Sequence, residues 1–169
     1  MINRYACLRT IRIDLFYLNG TPRFAQLGHR QLEQDIHLLM NRMMNLRVVV
    51  GYFWVIEWTE DHHYHARVAF WLDGNRTQTT YPWAEKAGEF WNVITDGDGW
   101  DHRCEFKEHY RANINIPVHY NDPDSITNIR QVLAYMTKIQ QKEGLLLHGC
   151  NEVPERPLTG RPRLPLALS

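Results

Sequence analysis

Two hydrophobic periods take turns along the chain. In residues 6–18, ACLRTIRIDLFYL, apolar Ile11, Ile13 and Leu15 alternate with polar Thr10, Arg12 and Asp14, which predicts a half-buried strand. Asn19-Gly20 and Pro22 close it. From Leu27 to Leu46 the period lengthens, and Leu32, Ile36, Leu39, Met40 and Met43 fall on one helical stripe. LRVVVGYFWVIEW is β-branched and aromatic, a strand by composition. TEDH reads as a turn and HYHARVAFWL as the returning strand, ended by Asp73-Gly74-Asn75. Tyr64, Ala66, Val68, Phe70 and Leu72 make one apolar face of that strand, while His63, His65, Arg67, Ala69 and Trp71 make the other.

PWAEKAGEFWNVI predicts a short helix opening on Pro82, and TDGDGWD a loop. ANINIPVHY predicts a strand, with Pro117 placing part of it near an edge. DPDSITNIRQVLAYMTKIQQKEG predicts the clearest helix, capped by Asp122, Asp124 or Ser125 and stopped at Gly144. The order strand, helix, two strands, helix, strand, helix implies an α+β fold. Its expected form is a small antiparallel sheet backed by helices, with a split βαβ (ferredoxin-like) core.

Composition sets the class. The 169 residues are 44% hydrophobic and 12% aromatic, as expected of one folded domain. A formal net charge of zero means that any polyanion must meet locally concentrated positive charge. Cys7, Cys104 and Cys150 are far apart and odd in number, which predicts reduced thiols and an intracellular, cytoplasmic protein. Arg4, Arg9, Arg12 and Asp14 interrupt the first twenty residues, so no signal-peptide apolar region is read there. No apolar run approaches the roughly 20 residues of a membrane span, and no membrane partner is expected. From Val153 the chain turns proline-rich and basic, VPERPLTGRPRLPLALS, which divides it into a domain over 1–152 and an extended tail over 153–169.

Three groups of residues carry candidate chemistry. His63 and His65 alternate on a strand and so would project side by side. If the hairpin loop is Glu60 to His62, Thr59 faces His63 and Glu57 faces His65, which adds a carboxylate to two imidazoles. Such a set suits a divalent ion such as Mg²⁺ or Mn²⁺ with open positions. A two-residue loop would turn Glu57 to the wrong face. His62 belongs at the exposed tip and enters the set only if the register slips. On the last helix Tyr135 lies at the flank of the stripe Ile126, Ile129, Val132, Leu133, Met136 and Ile139, with Lys138 one turn on. A phenol becomes a useful nucleophile when a cation stabilises its phenolate. The tail residues Arg156, Arg161 and Arg163 are candidate phosphate contacts. Read from the residues alone, a solvated histidine tip, a boundary tyrosine and a solvated tail are the alternatives. Arg12 and Asp14 read as a salt-bridged strand pair.

A histidine–hydrophobic–histidine strand followed by Tyr-x-x-Lys on a helix resembles the HUH endonuclease superfamily. More closely, the chain is similar to the YagK/YfjJ family of prophage and filamentous-phage replication-type proteins. The matching stretches are IRIDL, WVIEW, HHYHARVAFWLDG, VLAYMTKIQQKEG and ERPLTGRPR, in family order. The resemblance implies a metal on the centre of a ferredoxin-like sheet, held by His63, His65 and Glu57, and it places Arg12 and Asp14 near that site. It implies that Tyr135, assisted by Lys138, attacks single-stranded or hairpin DNA and leaves a 5′-phosphotyrosyl link, in the initiation of rolling-circle replication of a phage or mobile element. With no helicase domain in the chain, that role would draw on host helicase and polymerase. The competing expectations are a non-catalytic nucleic-acid-binding regulator and a metal-dependent hydrolase that activates water.

Overall fold

The strand alternation read from the sequence produces a sheet with two unlike faces. A computed structural model of the chain describes residues 4–105, 107–108, 110–138 and 147–152. Its elements are β1 (Cys7–Tyr17), α1 (Arg30–Met44), β2 (Val49–Thr59), β3 (His63–Asp73), α2 (Tyr81–Ile94), β4 (Gly99–Arg103), β5 (Val118–His119), α3 (Pro123–Lys138) and β6 (Leu147–Cys150). The sheet runs β4-β1-β3-β2-β6, with β5 also pairing β1, and every pairing is antiparallel. The fold is therefore α+β.

On the first face Ile11, Ile13, Leu15, Ala66, Val68, Phe70 and Leu72 meet α1 and α2. The α1 stripe Leu32, Ile36, Leu39, Met40 and Met43 is exposed by 1% or less at every position. Each such side chain contributes about 1.5–3 kcal/mol through burial, which makes this the main core. A polar network locks the layer. Asp35 accepts from Tyr17 Oη at 2.6 Å and from Arg23 Nε at 2.9 Å. The same guanidinium donates to the carbonyls of Thr95 and Ile94 at the end of α2.

On the second face α3 covers only one end. Ile129 and Val132 pack with Leu8, Val50, Ile114 and Val118. Of the three candidate caps, Asp122 does the work, its Oδ1 accepting the Asp124 N–H. Among the described residues no helix is long and apolar enough to cross a membrane.

Two sequence expectations change. ANINIPVHY is a strand only at Val118–His119, because Asn128 meets the preceding backbone with its side chain. Its Oδ1 accepts the Asn113 N–H and its Nδ2 donates to the Asn113 carbonyl, replacing a strand partner. TDGDGWD is not all loop: Asp96 and Gly97 turn through positive φ, and β4 starts at Gly99. A Cβ at Gly99 would stand 2.5 Å from Trp91 Nε1, so only glycine lets the strand approach the helix. The expected stop at Gly144 and the tail from 153 lie outside the described residues.

Candidate functional site

The β2–β3 hairpin closes across Glu60, Asp61 and His62, so Thr59 stands opposite His63 and Glu57 opposite His65. Directly opposed residues share a face, and these two meet: His65 Nε2 is 3.3 Å from Glu57 Oε2. They are only 5% and 6% exposed. His65 Nδ1 lies 2.9 Å from the carbonyl oxygen of His63. That contact keeps the ring proton on Nδ1 and turns the Nε2 lone pair to the carboxylate. Two acceptors face each other there, and the contact is favourable only with a second proton on the imidazole or a cation between them.

His63 goes elsewhere. Its φ of +54° is the left-handed conformation of a residue closing a short hairpin loop, and it breaks the strand alternation. The ring stacks on Phe24 at 4.2 Å and lies parallel to Trp58 at 6.1 Å, with Nδ1 at 3.1 Å from the Phe24 carbonyl. His63 is thus not brought to Glu57 and His65. His62 comes instead without any register slip, its ring 5.6 Å from that of His65 and 4.6 Å from that of Phe16. Among the described residues no group of three or more His, Cys, Asp or Glu side chains is placed to hold a metal ion. Glu57 and His65 fit one as a pair.

The neighbouring row of the same face is ionic. Asp14 pairs in register with Arg67 on β3 and with His102 on β4. Arg67 Nε is 3.1 Å from Glu57 Oε1, and Arg12 Nη2 is 3.5 Å from Asp14 Oδ1. These contacts hold charge without exhausting it. Both Glu57 oxygens, Asp14 Oδ1, Arg12 Nε and Arg67 Nη1 are buried and make no hydrogen bond. Five buried polar atoms in one row, facing ion-pair partners but making no hydrogen bond, mark a place where a further polar partner fits. Beside them, burial and the Asp14 carboxylate push the Cys104 thiol up to about 12.

Tyr135 overhangs this row. It is 53% exposed, at the flank of the α3 stripe as its spacing predicts. Its ring centre is 5.8 Å from Arg12 Cζ and 5.9 Å from Arg67 Cζ. Two guanidiniums flank the phenol, where the sequence pointed to Lys138. Lys138 ends α3, and its side chain is not among those described. Arg156, Arg161 and Arg163 also lie outside the described residues. Sequence reasoning gave Arg67 no role beyond its face of the strand, and read Arg12 and Asp14 as a salt-bridged pair that the resemblance sets near the site. The available signal was their alternation on two strands, which needed the β1–β3 register to become a cluster. Phe16 extends the face, stacked between His65 at 5.2 Å and Trp100 at 4.4 Å.

No protein-family model, curated protein or solved structure matches this chain.

Proposed function

We propose that the chain is a metal-dependent HUH-type endonuclease and strand transferase on a ferredoxin-like core, acting on single-stranded or hairpin DNA. The observation that carries the reading is the solvent-facing Tyr135 phenol held over Arg12 and Arg67, on the sheet face that buries Glu57 and His65 with unsatisfied oxygens. The strand order β4-β1-β3-β2, with helices after β1 and β3, supports the ferredoxin-like assignment.

Tyr135 Oη attacks the scissile phosphorus. The Oη–P bond forms, the P–O3′ bond breaks, and the phenolic proton is lost as the leaving oxygen gains one to become a 3′-OH. The two guanidiniums lower the cost of phenolate and phosphorane charge. A divalent ion held by His65 and Glu57, Mg²⁺ or Mn²⁺, would supply Lewis-acid polarisation of the phosphodiester. His63 orients His65 through its carbonyl oxygen. Arg156, Arg161 and Arg163 would add phosphate contacts, and replication of a phage or mobile element is the biological setting this chemistry suits.

The test is capture of DNA by protein. A 3′-labelled single strand with wild-type protein and Mn²⁺ should give a labelled band at protein size on denaturing electrophoresis. Tyr135→Phe should fold, bind and capture none. Capture by Tyr135→Phe assigns another nucleophile. Cutting without capture by the wild type assigns water. Binding without cutting assigns a regulator.

A further inference from the structure

The edge of β1 is notched. β4 pairs it over Ile13–Tyr17 and β5 over Cys7–Leu8, and among the described residues no strand lies beside Arg9–Ile11 on that side. A cavity of about 340 Å³ opens there, in the size range of small-molecule sites. Its walls are Arg9 and Thr10 from β1, Thr80 and Tyr81 from the start of α2, Arg103 from the end of β4, and Asn115. Among the described residues no carboxylate lines it.

Four features of the notch point to an anion. Two arginines contribute fixed positive charge: Arg9 Nε donates to the Thr77 carbonyl at 3.1 Å, and Arg103 Nη2 donates to Thr80 Oγ1 at 2.9 Å. The nearest counter-charge of Arg103 is Glu105 at 3.8 Å, itself largely exposed. The 14-residue α2 presents its N-terminus to the cavity, with no side-chain cap bond at Thr80 and no acidic residue in the first turn. Its dipole therefore acts there, with the Glu85 carboxylate turned to Tyr81 Oη and Glu105 beside Arg103 as the neighbouring negative charges. Independently, Thr10 is only 3% exposed and its hydroxyl makes no hydrogen bond. A buried hydroxyl without a partner, set in a cationic wall, is satisfied by an acceptor arriving from outside.

Tyr81 decides what the anion is attached to. It is 56% exposed, and the Arg103 guanidinium lies 5.2 Å from its ring centre. A ring that is fixed on one side and open to solvent accepts a flat heterocycle. We propose that this notch binds the phosphate of a nucleotide, with the base against Tyr81. The site goes beyond the Tyr135 reading and does not need it.

Residue-resolved NMR on the full chain tests it, with inorganic phosphate, deoxythymidine monophosphate and a short oligothymidylate as probes. Phosphate should shift the Thr79, Thr80 and Tyr81 amides saturably, and the nucleotide should bind more tightly than phosphate. A further gain for the oligothymidylate assigns the phosphate to a strand; none assigns it to a free nucleotide, and both uphold the site. Arg103→Gln should weaken phosphate by about tenfold, the worth of one charged hydrogen bond. Thr10→Val should melt no lower than wild type, since it removes only an unpaired hydroxyl, and should gain less stability from phosphate. Shifts confined to His65–Arg67, nucleotide no tighter than phosphate, or full affinity in both variants would overturn the proposal.

Discussion

Glu57 is the residue on which the proposed metal site turns. Its carboxylate is buried beside His65 and Arg67, and neither contact is a hydrogen bond to its oxygens. Removing His65 takes away the imidazole nitrogen that faces it at 3.3 Å. Calorimetry with Mn²⁺ should therefore show a loss of at least about tenfold in affinity for His65→Ala and for Glu57→Gln. His63→Ala should lose less, because that ring is held by Phe24 and Trp58 on the other side of the strand. Equal losses for His63→Ala and His65→Ala would return His63 to the ligand set. Cys104 makes a second residue-scale case. With its thiol pushed up to about 12, its thiolate fraction at pH 8 is about one in ten thousand. A disulfide reagent at pH 8 should modify exposed Cys150 well before Cys104, as peptide mapping would show; equal rates would mean that Asp14 and burial do not govern the thiol.

At the scale of elements, the Tyr17–Asp35–Arg23 network joins β1, α1 and the end of α2. Arg23→Ala would leave buried Asp35 to the Tyr17 and Gln31 donors without its counter-charge, at a cost of up to about 3–5 kcal/mol, and should lower the melting temperature. The same network sets an alkaline limit. Burial first, then the hydrogen bond to Asp35, raises the Tyr17 phenol above its ordinary value. The folded state thus keeps a proton that the unfolded state releases above pH about 10, and this contribution is complete below that pH and lost as pH rises beyond it. Chemical denaturation from pH 8 to 11 should show stability falling above pH 10, and Tyr17→Phe should flatten that fall. An unchanged slope in the variant would remove Tyr17 as its cause.

For the whole molecule, the two faces of the sheet are unequally protected. The first carries α1, α2 and most of the buried side chains; the second carries α3, with Tyr135 reaching beyond the apolar patch that Ile129 and Val132 form with Leu8, Val50, Ile114 and Val118. Ile129→Ala opens a cavity in that patch, at about 2–5 kcal/mol. Hydrogen exchange should speed up in α3 while β1 and β3 stay protected, and covalent DNA capture should fall with it, since Tyr135 would lose its fixed position. Uniform acceleration across sheet and helix would show instead that both layers unfold as one unit.

Much of this was legible in the chain. Period-2 alternation marked β1 and β3, and the period-3.6 stripes marked α1 and the Tyr135 flank of α3, because burial on one face imposes those repeats on any sequence; β2 was marked by its β-branched and aromatic composition. The Glu57–His65 pair was legible only as one of two loop-length alternatives, and the three-residue loop decided for it. Three outcomes needed the tertiary structure. His63 left the site because a left-handed backbone at one residue overrode the alternation. Arg12, Asp14 and Arg67 became one cluster through the β1–β3 register, and a single-residue slip would have turned Arg67 to the core. Cys104 and the short strands β4 and β5 owe their places to β1, far away in sequence: the Arg12 carbonyl, the Ile13–Tyr17 edge and the Cys7–Leu8 edge. Local period records which side of an element faces the core; which residues meet across elements depends on register and turn geometry, and no local period encodes those.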